Sequence, residues 1–321
     1  MKFLKSIITI IGILSVALVF GQTYPHKPIS LIVPYGAGGG SDSRTRQVAQ
    51  YLSQELGQPV IVDNKAGAGG NIGTEFVAKA KADGYTLGMG NFAPLSVNKA
   101  LFKKLGFDPE KDLMPITLIE KGPLVLCVST KSPYKTVNDI ITAAKAKPGT
   151  LTFSSGGIGG SHHLSGELFK QSTGIEMIHV PYKSGSAATT DLLAGNVDMM
   201  FEQMYSALPN IQAGKVRPIA ITSVKRSNML PNVPSFTELG HSKVVVLNWQ
   251  GIVAPANTPP EIVAKLSKAL NKVLQLPEMR EKITAQGNEV GGGTPEEFGA
   301  LIRSESQKWS NVVRLANIKP E

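Results

Sequence analysis

Apolar and polar positions along this chain recur in a strand, loop, helix rhythm. Leu31-Ile32-Val33 is an apolar run that stops at Pro34 and enters a loop with Gly36, Gly38, Gly39 and Gly40. Val48, Leu52 and Leu56 then repeat at i, i+4 and i+8, the spacing of a helix face, until Gly57 and Pro59 end it. Pro59 to Val62 reads as a strand leading into a second cluster, Gly67-Ala68-Gly69-Gly70-Asn71-Ile72-Gly73, before a helix through Phe76, Val77 and Ala80. The unit returns a third time, with strand Leu151 to Ser154, glycine loop Ser155 to Gly160, and a helix through Leu164, Leu168 and Phe169. Tyr85 to Met89, Leu124 to Val128, Met177 to Val180, Val197 to Phe201 and Ile219 to Thr222 read as further strands, and Ala187 to Leu193 as a helix. The C-terminal part is helical: Thr258-Pro259-Pro260 starts one helix with Ile262, Val263, Leu266, Leu270 and Val273 on one side. Thr294-Pro295-Glu296-Glu297 forms a capping box for another through Leu301, Ile302 and Trp309. This alternation predicts an α/β protein with mainly parallel strands, in which ligands sit beyond the carboxyl ends of the strands, where all three glycine loops fall.

Glycine loops between a strand and a helix place free N–H groups beside the positive end of a helix, so an anion is the natural guest. Ser41 or Asp42 is expected to cap the first helix and Ser161 the third, and Gly39 is expected to need a positive φ. Nucleotide motifs do not fit. No loop ends in Gly-Lys, and the sixth position of a G-x-G-x-x-G frame is Ser41, Ile72 or His162. Ser161-His162-His163 invites a hydrolase reading, but the sequence around it lacks G-x-S-x-G, and neighbours in a first helical turn point in different directions. Metal-ligand spacing is also missing: His163 and Glu167 are one turn apart, while His26, His179 and His241 are scattered. No catalytic residue, metal or cofactor is assigned.

Lys2 and Lys5 precede an uncharged stretch from Ile7 to Phe20, then Gly21 and Gln22. That is the grammar of a secretory signal, and the stretch is shorter than the ~20 residues of a membrane span. Residues 1–21 are therefore expected to be removed on export to the periplasm. Formal charge is +9; removing Lys2 and Lys5 from the 33 basic residues leaves 31 against 24 acidic, a charge of +7. Basic residues are dispersed and not massed, which argues against a nucleic-acid or other polyanion surface. Arg44 and Lys183 read as surface or rim charges. An aromatic share of 6% argues against a sugar-stacking platform, and the lone Cys127 reads as a buried strand residue.

Four ordered motifs carry a family resemblance. Pro34-Tyr35 with Gly38-Gly39, Asp42 and Arg46 resembles the first ligand loop of the Bug family, the receptors of tripartite tricarboxylate transporters. Asp63 to Gly73 followed by Asp83-Gly84-Tyr85-Thr86-Leu87, then Gly157 to Leu164, then Val180-Pro181-Tyr182-Lys183 with Asp191 to Asp198, are similar to its later signatures. Departures are Tyr35 for phenylalanine, Ala37 and Ala66 for proline, Gly160 for serine, and Glu202 where aspartate is common.

The resemblance covers almost the whole mature chain and implies a two-lobed periplasmic-binding-protein fold of type II. Residues 22–124 and 250–321 would form one lobe and 125–249 the other, with crossings at Pro123 to Val128 and Trp249 to Val253. It implies a solute receptor, not an enzyme, acting as a monomer with a small carboxylate ligand and a tripartite membrane permease as partners. The site implied comprises Tyr35, Gly36, Ala37, Gly38, Gly39, Gly40 and Asp42 of the first loop and Gly70 and Asn71 of the second. Ser155, Gly157, Gly159, Gly160, Ser161 and His163 of the third loop join them, with Tyr182 and Glu202. A secreted Ser/His hydrolase and a polyanion-binding surface protein are the other classes weighed.

Overall fold

The computed structural model describes residues 24–319, so the expected signal peptide lies outside the described residues. The chain builds one mixed sheet around a long central strand. Strand β1 (Ile29–Val33) is followed by helix α1 (Gly40–Leu56), β2 (Val60–Asn64), α2 (Asn71–Ala78) and β3 (Thr86–Asn91). A short π-type turn, Ala93–Val97, runs into α3 (Asn98–Leu101), and β4 (Leu113–Ser129) crosses the molecule. Then come α4 (Val137–Ala146), β5 (Thr152–Ser155), α5 (Ser161–Thr173), β6 (Ile178–Pro181), α6 (Gly185–Ala194), β7 (Met199–Gln203), α7 (Met204–Gln212) and β8 (Val216–Ile221). The chain closes with β9 (Leu247–Pro255), α8 (Pro260–Gln275), α9 (Pro277–Thr284), β10 (Glu289–Gly292) and α10 (Pro295–Leu315).

The strands lie in the order β2-β1-β3-β9-β4-β7-β5-β6, with β8 and β10 also paired to β4. Outer sets are parallel: β1 with β2 and β3, and β5 with β6 and β7. Each pairing that involves β4 or β9 is antiparallel. The pattern that predicts mainly parallel strands therefore holds for the outer sets and fails at the centre, where β4 and β9 run against their neighbours. Strands β4 and β9 are buried along most of their length, so they read as the continuous apolar runs of parallel strands although they are antiparallel. The N-terminal part of β4 pairs β9 from Leu113↔Pro255 to Pro123↔Leu247, and its C-terminal part pairs β7 from Leu124↔Gln203 onward. The two expected crossing segments lie within these strands.

Helix boundaries follow the apolar spacing. In α8, Val263, Leu266, Leu270 and Val273 are buried, and its N-cap is Pro259, since the Thr258 hydroxyl donates to Pro255 O at 2.7 Å. Thr294 and Glu297 form the reciprocal capping box that opens α10. That helix carries Trp309 into a continuous core, where Phe92 lies edge-on to Trp309 (centroids 5.2 Å apart) and Trp249 to Phe298 (5.7 Å). Cys127 is fully buried in β4. Among the described residues no helix is long and apolar enough to cross a membrane.

Candidate functional site

The carboxyl ends of β1, β2, β5, β6 and β7 feed the loops that the sequence singles out. The first and third glycine loops end in the same turn. Gly38 has φ +82° and Gly159 φ +77°, the left-handed region that a Cβ disfavours. Each is followed by an extended glycine that serves as N-cap, Gly39 at φ −78°, ψ 170° and Gly160 at φ −73°, ψ 166°. Each left-handed glycine donates its N–H to the side chain four residues on: Gly38 to Asp42 Oδ2 at 2.9 Å, Gly159 to His163 Nδ1 at 3.1 Å.

This geometry revises three expectations. Ser41, Asp42 and Ser161 are not caps, because the helices begin on Gly39 and Gly40 in one case and Gly160 and Ser161 in the other, with no side-chain cap at either. The positive φ belongs to Gly38 and not to Gly39. The first-turn amides of two helices thus lack a side-chain acceptor of their own, and the side chains that would cap them brace the loops instead.

Asp42 is buried, receives Asn64 Nδ2 at 3.0 Å on Oδ1 and pairs with Arg46 at 3.0 Å. The hydrogen bonds from Arg46, Gly38 and Asn64 outweigh desolvation and hold its carboxyl below the usual range. Gly36, Ala37, Gly38, Gly39 and Gly40 are exposed. Tyr35 is half-buried: its carbonyl accepts from Asn64, and its ring covers Gly70, where a Cβ would meet Tyr35 Cζ at 3.2 Å. Burial pushes the Tyr35 hydroxyl up, so it stays protonated. In the second loop Asn71 is buried and accepts from Asn98 Nδ2 at 2.6 Å.

The third loop rests on imidazoles. His163 and His179 stack with centroids 3.7 Å apart, and Phe153 stacks on His179 at 5.0 Å. Ser155 Oγ lies 2.6 Å from His179 Nε2 and also contacts the carbonyl and N–H of Gly157. This serine is fully buried, so the pair braces the loop and presents no nucleophile. Burial lowers His162 to about 4, and burial with the neighbouring His179 and Lys170 lowers His163 to about 3. His179 falls to about 4 by burial and Lys170. All three are neutral at pH 7, as acceptance of the Gly159 N–H by His163 requires. Tyr182 donates to Asp191 Oδ2 at 2.5 Å, which raises its hydroxyl to about 12. Glu202 is buried, with Oε1 accepting from Thr189 and Ser206 at 2.6 and 2.7 Å.

The two loops are linked by residues that local sequence signals do not mark. Gln203 Nε2 lies 3.4 Å from Ser161 Oγ at the start of α5, and a Cβ on Gly40, at the start of α1, would stand 2.7 Å from the Tyr205 hydroxyl. A Cβ on Gly159 would lie 2.3 Å from Leu101 Cδ2, so the third loop also abuts α3 of the first sheet half. Beneath the first loop, Asn91 Nδ2 reaches Ser41 Oγ at 3.2 Å and Gln250 Oε1 at 3.1 Å, and Gln250 donates to Glu120 at 2.5 Å. Arg44 ends this chain. It is 2% exposed, with Nε 2.9 Å from Glu120 Oε2 as an ion pair, and further bonds to Gln47, Gln286 and the Lys282 carbonyl. It is therefore not the rim charge expected from its position in a polar helix. Lys183 is exposed. Among the described residues no cluster of His, Cys, Asp or Glu is placed to hold a metal ion.

Residues 44–318 match the family model described as tripartite tricarboxylate transporter family receptor. The chain is 38% identical to the protein BugT of Bordetella pertussis over 304 residues, covering 94% of this chain and 93% of that one. It is similar to the structure of Rpa4515 from R. palustris with adipate at 34% identity and a TM-score of 0.84, covering 93% and 100% of the two chains. MatC of Rhodopseudomonas palustris with bound malate is 30% identical with a TM-score of 0.81, covering 90% and 100%.

Proposed function

This chain belongs to the tripartite tricarboxylate transporter family of receptors, which are solute-binding proteins, and from that premise we propose that it captures a small organic acid bearing two carboxylates. One observation carries the reading: two glycine loops, one from each half of the sheet, end in the same left-handed and then extended glycine pair and open helices α1 and α5 with no side-chain cap. Each offers a carboxylate a set of backbone N–H donors at the positive end of a helix. Adipate with Rpa4515 and malate bound to MatC, the two structural neighbours, support a carboxylate ligand.

The magnitudes are compatible. A hydrogen bond to a charged group contributes about 1.5–3 kcal/mol and a helix N-terminus about 0.3–2 kcal/mol. Four or five such contacts exceed the roughly 8 kcal/mol of micromolar binding and leave a surplus to offset ordering of ligand and lobes. The ligand is held between a lobe of residues 22–124 and 250–321 and a lobe of 125–249, hinged on β4 and β9. The receptor acts in the periplasm after removal of residues 1–21 and hands its ligand to a membrane permease.

Thermal unfolding with a panel of carboxylates tests this. Adipate, malate or another diacid raises the midpoint with a dependence on its concentration, and a monoacid such as acetate raises it less. Heparin shifts the midpoint only at low salt. A panel in which no carboxylate shifts the midpoint defeats the reading.

A further inference from the structure

The segment from Glu202 to Ser206 joins the two helix starts, and its side chains alternate in role. Glu202 is tied to Thr189 and Ser206, and Met204 is fully buried against the turn at Gly287, where a Cβ would meet Met204 Cγ at 2.3 Å. These anchors fix the segment to α6 on one side and to the α9–β10 turn on the other. The residues between them reach the two helix starts: Gln203 touches Ser161 at the start of α5, and Tyr205, 37% exposed, stands beside Gly40 at the start of α1. Positions two apart on one chain are separated by at most about 7 Å, and both are braced here. The space between the two sets of first-turn amides is therefore bounded by one rigid piece of backbone.

We propose that Gln203 and Tyr205 act as a ruler for ligand length, with Tyr205 as the specificity-determining residue at the α1 end. The inference rests on the two-carboxylate reading above. The phenol stops the closing movement of the two halves at a fixed separation, and its hydroxyl adds one neutral donor beside the carboxylate held by Gly39, Gly40 and Ser41. An ordinary phenol is protonated at neutral pH, so the hydroxyl can serve as that donor. Gly40 is part of the device, since any Cβ there would collide with the phenol.

Calorimetric titration of the mature protein with succinate, glutarate, adipate and pimelate tests the ruler. Wild type shows one preferred chain length. Tyr205→Phe keeps that preference and weakens binding about tenfold, the loss of one hydrogen bond to a charged group. Tyr205→Ala, which removes the stop, moves the preference toward longer diacids and flattens it, and Gln203→Ala does the same from the α5 end. Tyr205→Ala and Gln203→Ala with the wild-type order and affinities would overturn the ruler while leaving the carboxylate reading intact. A wild type that binds none of the four would overturn the ruler, and the carboxylate reading would then stand or fall on the wider thermal panel that includes malate. Tyr205→Phe, the smallest change, guards against a folding defect in the alanine variants, which is read from their unfolding midpoints.

Discussion

His163 Nδ1 accepts the backbone N–H of Gly159 at 3.1 Å, so the third glycine loop keeps its shape only while that imidazole is neutral. Its other nitrogen is 3.8 Å from Glu167, beyond hydrogen-bond distance, and Glu167 is paired with Lys170 at 3.0 Å. The carboxylate therefore does not rescue an imidazolium.

A pH dependence follows, with a definite sign. His163 is lowered to about 3 and His162 and His179 to about 4 from an ordinary 6.5, so the folded state favours the neutral rings. Their contribution to stability is complete above pH 6.5 and is lost as pH falls from 6.5 through 4 for His162 and His179 and on to about 3 for His163, because the unfolded chain binds these protons first. Denaturant unfolding at stepped pH checks it. His163→Asn, whose Oδ1 can accept the Gly159 N–H without titrating, has a shallower slope over this window. An unchanged slope would remove His163 from the account.

The two loop glycines differ in what they tolerate. Gly38→Ala forces a side chain into the left-handed region and is destabilised by about 1–2 kcal/mol. Gly39→Ala is close to neutral in stability, since its backbone is extended and the nearest atom to an added Cβ is Gly36 O at 3.7 Å. Equilibrium unfolding of both variants separates them, and equal midpoints would contradict the assignment of φ.

What was legible in the sequence was local. Strand, glycine loop and helix succeed one another within about twenty residues, so β1 to α1, β2 to α2 and β5 to α5 could be read from apolar spacing and breakers. Asp42 does not cap its helix because it has better partners: Arg46 lies one turn on, but Asn64 comes from β2, and that contact exists only once β1 and β2 pair. Arg44 reads as a surface charge in sequence because its partner Glu120 sits on β4 and its bond to Gln286 comes from the chain after α9. Tyr205 follows an ordinary apolar strand, and its approach to Gly40 depends on how β4 joins the two halves of the sheet.

The Arg44–Glu120 pair carries a large penalty when only one partner is removed. Both side chains are nearly fully buried, and Glu120 also accepts from Gln250 and from Asn288 at 3.0 Å. Arg44→Met leaves a buried carboxylate and is expected to lower stability by about 3–5 kcal/mol. The double variant Arg44→Met, Glu120→Leu is less destabilised than the two single losses added together. Strict additivity in a double-mutant cycle would mean that the two charges do not interact.

Closure of the two lobes on ligand can be tested at Gly159. This residue has φ +77°, and a Cβ on it would lie 2.3 Å from Leu101 Cδ2, at a contact between the third loop and α3 of the other sheet half. Gly159→Ala therefore does two things: it strains the loop, and it wedges the two halves apart. The strain alone would destabilise the protein and weaken binding; the wedge would also prevent compaction. A ligand shifts an open–closed equilibrium only by its differential affinity for the two states, so a protein that cannot close binds with the affinity of one loop. Small-angle scattering with saturating diacid shows contraction for wild type and little for Gly159→Ala. Adding Leu101→Ala removes the obstructing methyl group and restores contraction, while the strained φ and its stability loss remain. If Gly159→Ala contracts as wild type does at matched occupancy, the contact with Leu101 plays no part in closure.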